Sequence, residues 1–250
     1  MRVTGRQGLW LAGLILLFWL VSLTDAILTG PGSVPVALAG VLVRTLLHTG
    51  LFIAGHDAMH GVLVPGSQRW NRRAGTLALA LYGALPYGRC QRNHALHHQR
   101  TATTSDPDFL ADPTAGPMGW YLHFMGGYLN PWQMGLLLGG WAGLASAIAV
   151  LHELTWQQAL GRVLLVCTLP LLLSSLQLFM VGTYLPHRGE RQMQSETGAG
   201  GPISLAWPTW LSLLACYHFG YHREHHQQPH LAWYELPGAY QRNKLLALPR

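Results

Sequence analysis

Histidines at helical spacing are the residues of this sequence whose types and positions could do chemistry. Residues 216–229 hold His218, His222, His225 and His226 within a stretch of nine residues. If this stretch is helical, its imidazoles follow one another by about one turn and share one stripe of the helix surface. Lysine is almost absent nearby and the flanking residues are aromatic or apolar. A metal-binding stripe therefore explains the pattern better than a titratable or nucleic-acid-facing cluster.

Two earlier histidine clusters repeat this spacing. One is a pair four residues apart, and the other has the His-x-x-His-His order found at the end of the last cluster. A structural zinc site takes four ligands and usually includes cysteine, whereas adjacent histidines point about 100° apart on a helix and can address different ions. The count predicts two metal ions and eight ligands, or nine to ten if His187 and His218 join: His56, His60, His94, His97, His98, His222, His225 and His226.

The composition indicates an integral membrane protein in which the 250 residues form a single domain. Charged residues make up 10 % of the chain and the mean hydropathy is +0.19, against about 25 % charged residues in soluble domains. The net charge of +6 comes from arginines and lysines that fall on one side of the predicted spans. The positive-inside rule predicts that this side faces the cytosol. The three cysteines have no paired spacing, so we expect neither disulfides nor a thiolate cluster.

Four apolar runs are long enough to cross a bilayer, which takes about 20 residues. They are residues 9–28, 34–55, 133–151 and 163–181. The first run lacks a clear cleavage site, which favours a retained span over a signal peptide. Residues 75–87 are too short to cross and are expected to form a buried or re-entrant hairpin, and residues 203–217 a short membrane-embedded helix. All three clusters and both termini then lie at the cytosolic ends of the spans.

Three further features of the chain carry predictions. Arg44 lies in the second apolar run, and a charge at membrane depth marks a functional site by default; the alternative is that it pairs with Asp25 or with a carbonyl group. Residues 189–202 are expected to form a flexible loop. Small residues at every fourth position predict close helix packing in the third span, at Gly135, Gly139 and Gly143.

The ligand type and its setting together favour iron. Imidazole binds zinc, copper, iron and nickel, but a membrane-buried site with few carboxylates suits oxygen activation on an apolar substrate better than hydrolysis. Carboxylates that accept the second ring N–H of a ligand histidine fix its tautomer. The pair Asp106 and Asp108 has a turn or a helix cap as an alternative role. The candidates for orienting ligands are Asp57, Asp106, Asp108 and Glu224.

The three histidine boxes, separated by paired spans, resemble those of the membrane fatty-acid desaturase and hydroxylase superfamily. The boxes alone specify only that superfamily. Residues between them narrow the resemblance to the bacterial and cyanobacterial β-carotene ketolases, and the similarity extends from about residue 55 to residue 237. The matching stretches are residues 55–61, 93–98, 106–109, 183–188, 217–226 and 233–237, with Pro229.

This resemblance implies a di-iron, O2-dependent carotenoid 4-ketolase in a bacterial inner or cyanobacterial membrane. Two hydroxylations at one ring carbon and loss of water give a ketone, so that β-carotene becomes echinenone and then canthaxanthin. The eight box histidines are then iron ligands, His187 matches an additional histidine before the last box, and His218 is a further candidate. No flavin, nicotinamide or haem motif is present in the sequence, so we expect a separate, ferredoxin-type electron donor. Cytosolic arginines either dock that carrier or serve only the topology.

Other functions stay open at this point. A carotenoid ring 3-hydroxylase, or an acyl-lipid desaturase or hydroxylase, would use the same iron chemistry on a different bond. A membrane metal transporter would place its ligands within the spans and open to both faces, whereas these clusters lie at one end of the spans.

Overall fold

The structure is a computed structural model that describes residues 6–112, 114–189 and 201–246. Within these ranges the chain is helical and contains no β-strand. The two termini that the sequence places on the cytosolic side, and residues 190–200 of the loop predicted at residues 189–202, lie outside them. In chain order the helices are α1 (Gln7–Thr29), α2 (Val34–Met59), α3 (Gln68–Gly83), α4 (Tyr87–Gln99), α5 (Pro117–Tyr128), α6 (Pro131–Leu151), α7 (Trp156–Gly189), α8 (Thr209–Cys216), α9 (His222–Gln227) and α10 (Leu236–Leu246).

Four of these helices, α1, α2, α6 and α7, are long and apolar enough to cross a membrane. They contain the four predicted apolar runs and extend beyond them at nearly every end. The all-α membrane class predicted from the sequence is therefore confirmed. Most of the outer faces of α1 and α6 are exposed and apolar, as expected for surfaces that contact lipid rather than water.

Residues 75–87 form no span but a helix end, a tight turn and a helix start, in agreement with the predicted hairpin. Ala84 closes α3 in the left-handed conformation, at φ 55, and α4 begins three residues later. Two glycines let α3 pack closely: a Cβ on Gly55 would lie 2.7 Å from Leu79, and one on Gly75 would lie 2.2 Å from Tyr87. The close packing fixes α3, and the turn after it, against the end of α2.

Helix α7 is irregular and contains two π-helical segments, Leu164–Thr168 and Met180–Tyr184. At the first of them the carbonyl of Val166 accepts a hydrogen bond from Nε of Arg44. The guanidinium of Arg44 also donates to the carbonyl of Trp19 in α1, at 3.4 Å. Arg44 also donates to the hydroxyl of Ser22 in α1, at 2.9 Å. Two carbonyl groups and a hydroxyl, rather than Asp25, are therefore the partners of this buried arginine, which ties three spans together.

The prediction that α6 packs closely through its three glycines is wrong for the residues that the structure describes. A Cβ added to any of them would meet no atom within 4 Å, because this face of α6 is exposed. Helix α6 packs through its other side, where Ala145 and Ile148 contact a cluster that includes Ala159 and Val163 of α7.

The last histidine cluster does not form one continuous helix, contrary to the sequence prediction. Helix α8 ends at Cys216, and Tyr217 and His218 both adopt left-handed backbone conformations, at φ 46 and 65. Their N–H groups bond back to the carbonyls of Leu213 and Ser212, which closes α8 with a left-handed cap. Residues 201–208 also contain no helix, so the helix predicted over residues 203–217 is limited to its second half.

Candidate metal centre

Two groups of four histidines converge at one end of the spans. In each group every residue offers one ring nitrogen, and these nitrogens all lie within 4.8 Å of one another. Four imidazole nitrogens in so small a volume are a ligand set for one ion per group. The first group is His56, His60, His94 and His225, and the second group is His97, His187, His222 and His226.

Each group draws its histidines from three separate parts of the fold. The end of α2, helix α4 and helix α9 supply the first group, and helices α4, α7 and α9 supply the second. Neighbouring residues divide between the groups, since His225 belongs to the first and His226 to the second. This division follows from the angle of about 100° between adjacent side chains on a helix.

His98 lies between the two groups. Its Nε2 atom is 3.1 Å from Nε2 of His94 and 2.9 Å from Nε2 of His225, so this nitrogen faces the first group. Its ring stacks on the ring of His226, with the centroids 4.3 Å apart. His98 is thus available as a fifth nitrogen for the first group while its ring contacts the second.

The convergent nitrogens have the spacing expected around a cation. The Nε2 atoms of His60 and His94 are 2.8 Å apart, as are those of His187 and His222, and His222 and His226 are 3.0 Å apart. Two nitrogens that each lie ~2.1 Å from one ion at a right angle are ~3 Å apart. A neutral imidazole carries only one N–H, so a metal ion satisfies these facing nitrogens better than hydrogen bonds among them.

His56 provides the clearest test of whether the residues fit a metal. Its side chain is buried, and neither ring nitrogen has a hydrogen-bond partner. An unsatisfied buried polar atom costs about 1–3 kcal/mol, and an ion bound to this ring would remove that cost at one nitrogen. The donor set therefore fits a metal centre.

The protonation state of the histidines also suits metal binding. Burial lowers the pKa of His60 to about 4, and burial together with neighbouring imidazoles lowers the pKa of His98 to about 3. The same two causes hold the pKa values of His94, His222 and His225 well below the usual range. These rings are neutral at physiological pH, so each presents a free lone pair without first releasing a proton.

Asp106 is the one predicted carboxylate that contacts a histidine of the two groups within hydrogen-bond distance. Its two oxygens lie 3.0 and 2.9 Å from Nδ1 of His97, and they accept hydrogen bonds from the backbone N–H groups of Ala102 and Asp108. The carboxylate keeps the proton on Nδ1, which leaves Nε2 of His97 to face His226 at 3.1 Å. Asp106 thus orients the ring of His97 and caps a turn at the same time.

The other three carboxylates lie near the histidines but bond elsewhere. The closest approach of Asp57 to Nδ1 of His56 is 3.7 Å, which is too long for a hydrogen bond. Asp108 accepts from the hydroxyl of Tyr128 at 2.8 Å, and Glu224 accepts from side chains of α10 and of residues 201–208. These three carboxylates hold the surrounding loops and helices in place.

His218 belongs to neither group. The left-handed backbone directs its ring between Tyr221 and Trp233, with both ring centroids 6.0 Å away. Its Nδ1 atom is buried without a hydrogen-bond partner. The expectation that His218 lies one turn before His222 assumed a continuous helix, and the break at residues 217–218 removes that geometry. Of the two additional candidates, the structure brings His187 to the groups and leaves His218 apart.

An apolar cavity of about 250 Å³ adjoins the histidines. Four histidines of the two groups line it, and the rest of its wall is formed mainly by apolar and aromatic side chains of α5, α6 and α7. Sequence reasoning missed this cavity because its residues come from helices far apart in the chain. Among the wall residues are Phe52, Tyr82, Phe124, Leu137, Trp141 and Phe219.

Comparison with known proteins decides what kind of protein carries this centre. The sequence profile described as "Fatty acid desaturase" matches residues 31–249. The chain belongs to the fatty acid desaturase family. Two histidine groups at the end of membrane spans are consistent with a metal site typical of this family. The desaturase family thus accounts for both the spans and the centre.

Several curated members of this family are similar to the chain over most of its length. A "Beta-carotene ketolase" of Paracoccus sp. (strain PC1) is 37 % identical and covers 92 % of this chain and 90 % of its own length. A "Beta-carotene ketolase" of Haematococcus lacustris is 34 % identical, over 88 % of this chain and 68 % of its own. A "Zeaxanthin 4-ketolase" of Chlamydomonas reinhardtii is 34 % identical, over 92 % and 50 %. No solved structure gives a significant match. The resemblance to β-carotene ketolases is confirmed.

Proposed function

We propose that this protein is a di-iron, O2-dependent carotenoid 4-ketolase that converts β-carotene to echinenone and canthaxanthin. The observation that carries the proposal is the convergence of two histidine groups on one apolar cavity. The similarity to proteins named β-carotene ketolase supplies the substrate class. A 3-hydroxylase or an acyl-lipid enzyme would use the same centre and is distinguished by its product.

The histidines would hold the two iron ions in separate ligand sets. The first group, with His98, would bind one ion, and the second group would bind the other. Iron bound there would supply the oxidant that attacks an unactivated or allylic C–H bond and the oxygen that replaces the hydrogen. His218 has no ligand role in this assignment.

The protein's own side chains orient the ligands and keep water away. Asp106 fixes the tautomer of His97, which would leave the Nε2 lone pair of His97 free to bind the second ion. Phe219 packs against the ring of His56, with centroids 4.5 Å apart, and is itself buried. A dry cavity that holds a hydrocarbon ring next to the ions excludes side reactions with water. Positioning and water exclusion are therefore the protein's contributions to the chemistry.

The supply of substrate and electrons follows from the membrane setting. The carotenoid would enter from the lipid phase, and a separate ferredoxin-type donor would bring electrons to the cytosolic side, where the positive-inside rule would also place both termini. Arg69, Arg72 and Arg73 are exposed on α3 and would attract an acidic carrier. No nucleic acid takes part in this scheme, and the 250 residues act as one domain.

The direct test is expression in a bacterium that accumulates β-carotene, followed by chromatography and mass measurement of the pigments. Echinenone and canthaxanthin are the expected products, and a variant with both His225 and His226 replaced by Ala is the matched control that makes neither. Hydroxylated carotenoid without ketone would identify a 3-hydroxylase instead. Unchanged β-carotene, in cells whose membranes contain the iron-loaded protein, would refute the proposal.

A further inference from the structure

Gln133 lines the cavity and carries an unsatisfied hydrogen-bond acceptor. Its side chain is only 3 % exposed, and its Oε1 atom is buried without a hydrogen-bond partner. The surrounding wall is formed mainly by apolar side chains, among them Leu129, Met134 and Leu137. A buried acceptor of this kind creates a preference for a bound molecule that can donate a hydrogen bond.

The orientation of the Gln133 amide is fixed by its neighbours. Its Nε2 atom donates to the carbonyl of Gly83, the last residue of α3. Reversing the amide would place two oxygens face to face, so Oε1 cannot take the position of the nitrogen. The backbone N–H of Gln133 is capped by the side chain of Asn130, at 2.9 Å. The acceptor is therefore held in place before any ligand arrives.

The same cavity that contains Gln133 also contains the metal-facing histidines His56 and His94. A short series of contacts links Gly83, the partner of Gln133, to this centre. The ring of Tyr82, next to Gly83, lies 5.3 Å from that of Phe52, and Phe52 lies one helical turn before His56. The cavity volume of about 250 Å³ is below the range of about 300–1,000 Å³ that encloses most drug-sized ligands. It would therefore enclose only one end of a long carotenoid, and the end next to the metal centre would be the ring.

β-Carotene is a hydrocarbon and offers no hydrogen-bond donor to Gln133. A ring that already carries a hydroxyl group offers one. We propose that Gln133 is a specificity-determining residue, whose Oε1 accepts a hydrogen bond from the ring hydroxyl of a hydroxylated carotenoid and so favours such rings over unsubstituted ones. This inference rests on the proposed ketolase function.

The test compares β-carotene with zeaxanthin, its ring-hydroxylated derivative, in the iron-loaded protein. Both the dissociation constant, from quenching of tryptophan fluorescence, and kcat/KM are measured for the wild type and for Gln133→Met. Methionine has a similar length but no acceptor oxygen. The preference for zeaxanthin is expected to fall about tenfold in the variant, the factor set by one hydrogen bond to a neutral group.

Thr168→Val is the matched control, because Thr168 in α7 also lines the cavity and its Oγ1 is another buried atom without a hydrogen-bond partner. It is expected to change the constants for both carotenoids by the same factor. An equal loss for both carotenoids in Gln133→Met, or a changed preference in Thr168→Val alone, would overturn the assignment.

Two further measurements keep the inference independent of the variant and of catalysis. Zeaxanthin dimethyl ether keeps both ring oxygens but has no O–H, so the wild type is expected to bind it about tenfold more weakly than zeaxanthin; equal affinity would overturn the contact. The ratio of dissociation constants decides the role of Gln133 even if no ketone forms, whereas absence of ketone from every carotenoid would refute the ketolase function alone.

Discussion

Replacing Asp106 with Asn tests whether one carboxylate controls the second metal site. The carboxylate accepts hydrogen bonds from Nδ1 of His97 at 2.9 Å, from the N–H of Ala102 at 3.0 Å and from the N–H of Asp108 at 2.9 Å. Each of the two oxygens faces a different backbone N–H. The amide of asparagine must therefore point its NH2 group at one of these donors, whichever way it is turned.

The size of the effect follows from that mismatch. One buried backbone N–H loses its acceptor, which costs about 1–3 kcal/mol of folding stability. His97 also loses the charge that holds the proton on Nδ1, and losing such a partner lowers metal affinity about 10- to 100-fold. The first group has no contact with Asp106 and keeps its affinity. We therefore expect one of the two ions to become weakly bound.

The assay is a chelator titration of the purified protein, with iron measured by plasma emission spectrometry after each step. Asp106→Asn should release about one ion at 10- to 100-fold lower chelator concentration than the wild type, while the other ion follows the wild-type curve. The matched control is Asp112→Asn, since Asp112 is exposed and caps Thr114 in the same loop. Wild-type release of both ions by Asp106→Asn, or equal loss in the two variants, would refute the reasoning.

Three more predictions follow from the packing and the ligand sets. His225→Ala should lose iron and product while His218→Ala keeps its iron content, and similar iron loss in both variants would restore His218 as a ligand. Gly75→Ala should destabilise the fold by about 1–3 kcal/mol, because its Cβ would lie 2.2 Å from Tyr87; Gly139→Ala, with open space around it, is the control for chemical denaturation. Stripping the metal should lower the melting temperature, since an ion at 100 times its Kd contributes about 2.7 kcal/mol, and adding Fe(II) should restore it; an unchanged melting temperature would contradict tight binding of the metal by the folded chain.

Helical periodicity made most of the centre predictable. Histidines three and four residues apart share a helix face, so the spacing of the three boxes indicated which residues converge. It did not indicate their division into two groups, which separates His94 from His97 and His222 from His225. Long apolar runs likewise predicted all four spans. Both signals are local patterns, and the structure follows them wherever the backbone stays regular.

Irregular backbone explains where the sequence was insufficient. A left-handed helix cap normally requires glycine, and Tyr217 gives no such warning, so the break that separates His218 from the last box was not predictable. The role of Asp106 depends on a loop that returns to α4, and four acidic residues looked equivalent before that loop was seen. Small residues on α6 matched a packing pattern, but no pattern reveals whether a partner helix within the same chain is in reach.

The two π-helical segments of α7 determine the direction in which its last histidine, His187, points around the helix axis. Each extra residue accommodated in a π turn rotates everything after it by about 100° around the helix axis, so the two segments together turn His187 by about 200°. A regular helix through the same bilayer would therefore aim His187 at almost the opposite side from His222. Deleting one residue from Leu164–Thr168 would turn the π turn into a regular α turn and keep the direction of His187, whereas deleting one residue from the regular turns between the two segments would rotate His187 by about 100°. In α7, the length of the apolar run determines whether the helix crosses the membrane, and the π-helical segments determine which way His187 faces at its end.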